Sequence, residues 1–349
     1  SSIGKKKYKV PAFIRKKGIY LSALGLSVII WAEAASKMPY SPLATGILLV
    51  SISIFAILSG ILYERRLWCR YLCPLGRLAA IFSGCSVVEW RSNSSICNST
   101  CTNNSCYKGD DATRGCPLYQ GPFSLNTNQN CILCGNCVKT CPNDSPALNL
   151  RMPGHELWAA LKPEKVTAIF VPVILGTQLF RGLEHTALVH TLETGTNSVW
   201  LLYGFLLLIS IGASYVFTRL AGSATFARLK NEEINKAELF THGVIPLAFA
   251  FEFAYQLKPL LTRLGSFFPV LGRQTGFDLD FLDFTASSGI VIFWQMVFLL
   301  LGMAFSYLFL QILMRRHQEE SKKNHVFTRL KWLPILSLAA VYIWFFATG

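Results

Sequence analysis

Apolar residues fall into seven long runs, at 18–36, 42–63, 165–181, 197–218, 240–257, 288–313 and 333–348. Each approaches the ~20 residues that an α-helix needs to cross the hydrocarbon core of a bilayer. Pro172 and Pro246 fall inside runs, which membrane helices tolerate because neighbouring groups satisfy the freed backbone. A shorter run at 78–89 reads as an interfacial or buried helix. From Arg91 to Gly154 the pattern breaks, and the segment is polar, rich in Ser, Asn, Gly and Cys, with no span. The pattern predicts an all-α polytopic membrane protein of about seven transmembrane helices carrying a small inserted domain. Residues 1–90 form a two-helix hairpin, 91–154 the insert and 155–349 a five-helix membrane domain. Such an insert buries little core, so metal ligation would stabilise it.

Composition agrees. The 349 residues are 52% hydrophobic and only 15% charged, whereas soluble domains carry about a quarter charged residues. The net charge of +14 raises nucleic-acid binding, but the placement of the charges argues for another cause. With the N-terminus inside, every Lys and Arg except Lys37, Arg181, Lys258, Arg263 and Arg273 falls on one side of the expected spans. That is the positive-inside pattern, and no nucleic-acid role is assigned. It puts the N-terminus and the insert on the cytoplasmic side of a prokaryotic inner membrane, where basic loops attract anionic headgroups. Thiols stay reduced there, so the eleven cysteines are read as ligands before disulfides. The sequons at Asn98 and Asn103 carry no weight on that side. The basic stretch 5–17 precedes a long span, which fits an anchor better than a cleavable signal.

The insert holds the strongest chemical signal. Residues 131–142 read Cys-Ile-Leu-Cys-Gly-Asn-Cys-Val-Lys-Thr-Cys-Pro, the C-x2-C-x2-C-x3-C-P spacing of a cubane iron–sulfur cluster. A zinc knuckle or a disulfide knot is the bland alternative, but zinc sites usually separate two cysteine pairs or use histidine. Upstream, Cys97, Cys101, Cys106 and Cys116-Pro117 repeat the order with looser spacing. Two-cluster ferredoxins exchange their fourth ligands. By that logic Cys97, Cys101 and Cys106 take Cys141, while Cys131, Cys134 and Cys137 take Cys116. The insertions Asn98–Thr100 and Tyr107–Gly115 leave alternatives: Cys85 in place of Cys97 or Cys101, a three-iron cluster, or inert thiols. Lys139 and nearby amides would raise a cluster potential.

Residues 67–77 read Leu-Trp-Cys-Arg-Tyr-Leu-Cys-Pro-Leu-Gly-Arg. A C-R-x-x-C-P-x-G-R string followed by a ferredoxin-type insert resembles the membrane polyferredoxins associated with periplasmic nitrate reductase and nitrous oxide reductase, the NapH/NosR type. The resemblance covers about residues 63–150. It implies electron transfer between the quinone pool, or a cytoplasmic donor, and a partner enzyme. Family members commonly carry two C-x3-C-P elements, and this chain has one. Gly222-Ser223-Ala224-Thr225 only scrambles the flavin-attachment motif of one branch, and no flavin is assigned. At helical spacing Cys69 and Cys73 share one face. They are read as a redox dithiol, as metal ligands with Cys85, or as packing thiols, with Arg70 and Arg77 as headgroup anchors.

Glu252 lies inside the fifth run, and an intramembrane acid is a candidate proton or quinone residue; pairing with Lys258 or a neighbouring span is the alternative. Glu33 is a weaker candidate. His185, His190 and His242 fit no haem-binding spacing, and haem is not assigned. Phe277, Phe281 and Phe284 are spaced as one helical face on a membrane or partner, with a packed loop as the alternative.

These readings converge on a membrane-bound iron–sulfur electron-transfer subunit of an oxidoreductase complex. It would hold two 4Fe–4S clusters, with quinone as a further candidate, and would not be catalytic by itself. An assembly or regulatory membrane protein for a metalloenzyme is the alternative.

Overall fold

The computed structural model describes residues 8–63, 67–110, 115–118, 120–125, 127–129, 131–159, 165–196, 198–227, 235–317 and 332–348. Parts of the basic segments, including Lys5–Lys7, Arg65, Arg66, 228–234 and 318–331, lie outside these residues. The chain divides into two compact units, Ser1–Phe170 with Ser198–Gly204, and Val171–Asn197 with Phe205–Gly349.

Most of the described chain is helical. Among the described residues, six helices are long and apolar enough to cross a membrane. They are α1 (Ala12–Ala35), α2 (Pro42–Leu62), α8 (Lys165–Glu184), α10 (Val199–Thr225), α11 (Lys236–Thr275) and α12 (Ser288–His317). The seventh expected span is α13 (Leu333–Thr348), 16 residues. At 1.5 Å per residue it covers about 24 Å, short of a ~30 Å core. α2 starts at Pro42, with Ser41 accepting a hydrogen bond from the Ala44 N–H at 3.4 Å. It buries none of its apolar residues against protein, and a patch of that size would be costly in water.

In the first unit, α1 packs on a π-helical turn at Trp68–Leu72 and on α3 (Pro74–Phe82). Gly18 permits this: a Cβ there would lie 2.9 Å from the Tyr71 carbonyl oxygen. The run at 78–89 is therefore not one helix. It is the end of α3, a 3₁₀ turn at Ser83–Cys85 and the start of strand β1 (Val88–Ser92). β1 pairs antiparallel with β2 (Pro146–Leu150), in the register Val88 to Leu150 and Ser92 to Pro146. This two-stranded sheet closes the neck of the cysteine-rich segment. Between the strands lie α4 (Ser94–Ser99), α5 (Ser105–Lys108) and α6 (Asn136–Thr140), and α7 (His155–Ala159) follows.

In the second unit, α9 (Ala187–Gly195) follows α8, and α11 and α12 pack closely. Gly243 receives Leu310 and Gly302 receives Ala250, the small-residue contact that lets membrane helices approach. Beside Pro246 the Leu247 N–H donates to Ser306 Oγ at 2.9 Å. Gln178 Nε2 donates to the Ala248 carbonyl at 2.9 Å, and its Oε1 accepts from the Tyr342 hydroxyl at 2.7 Å.

α11 corrects the expected loop. Its 40 residues contain Pro246, Pro259 and Pro269 and carry Lys258, Arg263 and Arg273 within the helix. At about 60 Å it is twice the length of one crossing. Gly276 ends it in the left-handed conformation, φ 79°, and the chain folds back along it. The Ala286 N–H donates to the Leu261 carbonyl at 3.3 Å. A Cβ on Gly265 would sit 1.9 Å from the Phe284 carbonyl oxygen, so glycine is needed for that approach. Phe277, Phe281 and Phe284 therefore do not share a helical face; only a 3₁₀ turn at Asp280–Leu282 forms there.

Candidate functional site

The C-x2-C-x2-C run must turn sharply for its thiols to face one space. Leu133 (φ 51°) and Gly135 (φ 72°) flank Cys134 in the left-handed region. Glycine adopts it freely, whereas Leu133 costs about 1–2 kcal/mol. α6 then carries Cys137, and Cys141 stands just past its end.

The upstream run has longer gaps, and the structure absorbs both. Asn93 caps α4 by accepting from the Ser95 N–H at 3.0 Å, and α4 runs through Cys97 and the inserted residues. The insertion after Tyr107 is pinched at its base. The Cys116 N–H donates to the Cys106 carbonyl at 3.1 Å. A Cβ on Gly115 would meet the Gly109 nitrogen at 2.4 Å. Residues 111–114 of this insertion lie outside the described ones. The bond between Cys116 and Cys106 thus holds the two ends of the insertion together.

Eight thiols then sort into two groups. Cys116, Cys131, Cys134 and Cys137 line one cavity with Trp90 and Leu118. Cys97, Cys101, Cys106 and Cys141 line another with Ser92 and Phe123. Each group takes three cysteines from one motif and the fourth from the other. Among the described residues, neither lining contains Asp, Glu, His, Lys or Arg, and none of the eleven cysteines forms a disulfide. Four thiols without harder ligands form the donor set preferred by soft metals and iron–sulfur clusters. Among the described residues, no three His, Cys, Asp or Glu gather as ligands of a single ion.

The thiols sense one another. Burial, with smaller contributions from Cys141, Cys101, Cys97 and then Cys137 of the other group, pushes Cys106 up to about 11. Burial, helped by Cys131 and Cys134, likewise pushes Cys137 up to about 11. Burial also raises Cys131, while Arg91 opposes the rise. Arg91 thus acts on Cys131 as a positive charge, and Lys139 is exposed. α5 and α6 pack together, which brings the two groups side by side.

An ion-pair network supports the first cavity. Glu156, on α7, accepts from Arg91 Nη2 at 3.0 Å, from Arg151 Nη1, from Thr127 Oγ1 at 3.0 Å and from the Asn128 N–H at 2.6 Å. Glu89 joins through Arg151 at 2.9 Å and Arg91 at 3.0 Å. The Asn128 carbonyl accepts from the Cys131 N–H at 2.8 Å. None of Trp90, Ser92, Asn128 or Glu156 belongs to a motif. The alternation Val-Glu-Trp-Arg-Ser at 88–92, with period two, is the one local signal for them.

The C-R-x-x-C-P-x-G element is not an ordinary helix. Cys69 lies in the π-helical turn, and Cys73 caps α3, its Sγ accepting from the Gly76 N–H at 3.4 Å. The shared i, i+4 face is therefore not formed. Arg70 Nη1 donates to the Leu118 carbonyl at 2.8 Å, so it fastens this element to the first cavity instead of serving only as a headgroup anchor. Cys85 lines neither cavity; burial pushes its thiol up to about 12 against the field of Arg151. A Cβ on Gly76 would lie 2.5 Å from the Cys69 carbonyl oxygen. Gly76→Ala is expected to destabilise the protein by about 1–3 kcal/mol, seen as a lower thermal midpoint in detergent. Gly46→Ala, where nothing lies within 4 Å, is expected to leave the midpoint unchanged.

The remaining candidates lie in the second unit. Glu252 accepts from Arg181 Nη1 at 2.8 Å, so its partner is on a neighbouring helix and is not Lys258. Arg181 also lies over the Tyr255 ring at 4.9 Å. His242 is buried, its Nδ1 2.9 Å from the Glu238 carbonyl oxygen. His190 is exposed on α9. Gly222 abuts the Ala237 backbone within α10's last turns, and Thr225 is fully buried.

No family model and no solved structure matches the chain. Over 96 residues, 27% of its length, the chain is 29% identical to the Escherichia coli (strain K12) protein described as "Putative electron transport protein YccM". The match spans 17% of that protein.

Proposed function

We propose that this chain is a membrane-bound iron–sulfur electron-transfer subunit with two 4Fe–4S clusters. Electrons would pass between the quinone pool, or a cytoplasmic donor, and a partner oxidoreductase at a prokaryotic inner membrane. One observation carries the reading: the crossed grouping of eight thiols around two neighbouring cavities. A cubane offers one iron to each of four thiolates, so its ligands surround a space and need not converge on one ion. Each cluster, when bound, holds one electron reversibly over a wide range of potentials.

The protein's own part is to position the thiols, keep water away and set the local charge. Loop turns at Leu133 and Gly135 aim the first group. Leu118, Leu125 and Trp90 wall its cavity with apolar surface. Arg91 supplies positive charge near Cys131, which would favour the reduced, more negative state. The protons of Cys106, Cys131 and Cys137, held more tightly by burial, must leave with the other thiol protons when iron binds. The long apolar helices would hold this domain at the membrane, and the electron-transport name of the E. coli relative points the same way.

The test is anaerobic purification of the full chain with iron and sulfide analysis, then EPR of the reduced protein. About eight of each per chain, with two interacting signals, is the expected result. About four of each would reject the two-cluster form, and absence of both in freshly purified, folded protein would reject the reading.

A further inference from the structure

Strand β1 shows its two faces to different surroundings. Successive side chains of a strand alternate sides. Glu89 and Arg91 belong to the ion-pair network with Arg151 and Glu156. Trp90 and Ser92 occupy the other face, one lining each cysteine cavity. Both carry a buried polar atom with no hydrogen-bond partner among the described residues, Trp90 Nε1 and Ser92 Oγ. An enclosed, unused donor is destabilising unless it finds an acceptor. The indole N–H can only donate, and a hydroxyl can donate. Two such atoms, two residues apart on one strand and divided between the two thiol groups, call for acceptors inside the cavities.

We propose that Trp90 and Ser92 are hydrogen-bond donors to the sulfur of the two clusters, one donor each, and set their separate reduction potentials. This rests on the cluster reading above. A hydrogen bond to cluster sulfur stabilises the reduced state and raises the potential. The cavity linings fix which donor serves which site: Trp90 lines that of Cys131 and Ser92 that of Cys101. The chain thus differentiates two otherwise similar thiol sets with neighbouring residues of one strand, an indole at one and a hydroxyl at the other. Both are positioning residues and neither is a ligand.

The experiment is an EPR-monitored redox titration of full-length wild type, Trp90→Phe, Ser92→Ala and Ser92→Thr. The two couples are assigned through Cys131→Ala and Cys101→Ala. Trp90→Phe is expected to lower the potential of the Cys131 cluster by about tenfold in the one-electron equilibrium, about 59 mV, and to leave the other alone. Ser92→Ala is expected to lower only the Cys101 cluster, and Ser92→Thr to restore it. Wild type grown with ¹⁵N-indole tryptophan should show a nitrogen coupling on the reduced Cys131 cluster; this readout stands even if Trp90→Phe fails to fold. Unchanged potentials in variants with intact clusters, or no such coupling, would overturn the proposal. Wild type without iron and sulfide would instead overturn the cluster reading on which it rests.

Discussion

Cys116→Ala is expected to lose about four of about eight iron atoms, and the lost cluster is the one that Cys131→Ala loses. In sequence Cys116 belongs to the upstream motif, and its N–H is bonded to the Cys106 carbonyl. Its side chain nevertheless lines the cavity of Cys131, Cys134 and Cys137. Cys141→Ala should correspondingly match Cys101→Ala, since Cys141 lines the other cavity. Iron analysis together with EPR of the four single variants distinguishes the arrangements. If Cys116→Ala instead behaved like Cys101→Ala, the motifs would ligate uncrossed. The crossing also has a mechanical consequence. Each cluster would staple the two halves of the segment, so losing one should loosen the other, with a lower thermal midpoint for its bleaching.

Glu156→Ala should be the most damaging change outside the cysteines. Its carboxylate is 8% exposed and is shared by Arg91 and Arg151, themselves 17% and 5% exposed. Removing it leaves two buried guanidiniums with Glu89 alone and frees the Asn128 N–H. Breaking a buried ion pair from one side costs about 3–5 kcal/mol. The loss passes to the first thiol group, because Asn128 holds the Cys131 backbone. The full-length variant is expected to assemble with the Cys131 cluster depleted and the Cys101 cluster better retained. Chaotrope-induced bleaching followed in the visible spectrum gives the measurement. Glu156→Gln, which keeps the shape and some acceptor capacity, should fall between. Equal retention of both clusters in Glu156→Ala would show that the network does not support the first site.

Membrane-spanning character was legible in the chain because a bilayer imposes a length and composition rule on every crossing. Runs such as 42–63 satisfy it without reference to any other part of the molecule, and α2 follows its run within one residue. The identity of the eight candidate ligands was also local, since three cysteines in one turn and a fourth before proline leave a spacing signature. Where contacts are distant, the linear pattern misled. The apolar run 240–257 gave no sign of a helix reaching Thr275, because its continuation is set by the segment folded back onto Gly265 and Gly272. Cys69 and Cys73 have helical spacing, but Cys69 lies in a π-helical turn and Cys73, extended ahead of Pro74, starts a new helix.

Sequence alone therefore determined which runs are long and apolar enough to cross a membrane and which residues carry thiols, because hydropathy and ligand spacing act over a few turns. The tertiary structure decided the rest. It placed Arg181 against Glu252, gathered Arg91, Arg151 and Glu156 behind Cys131, and set Trp90 and Ser92 on one face of β1 beside the two cavities. Those partners lie up to 71 residues apart. Only chain closure by the two-stranded sheet and the helix pairs brings their charges and donors within hydrogen-bonding range.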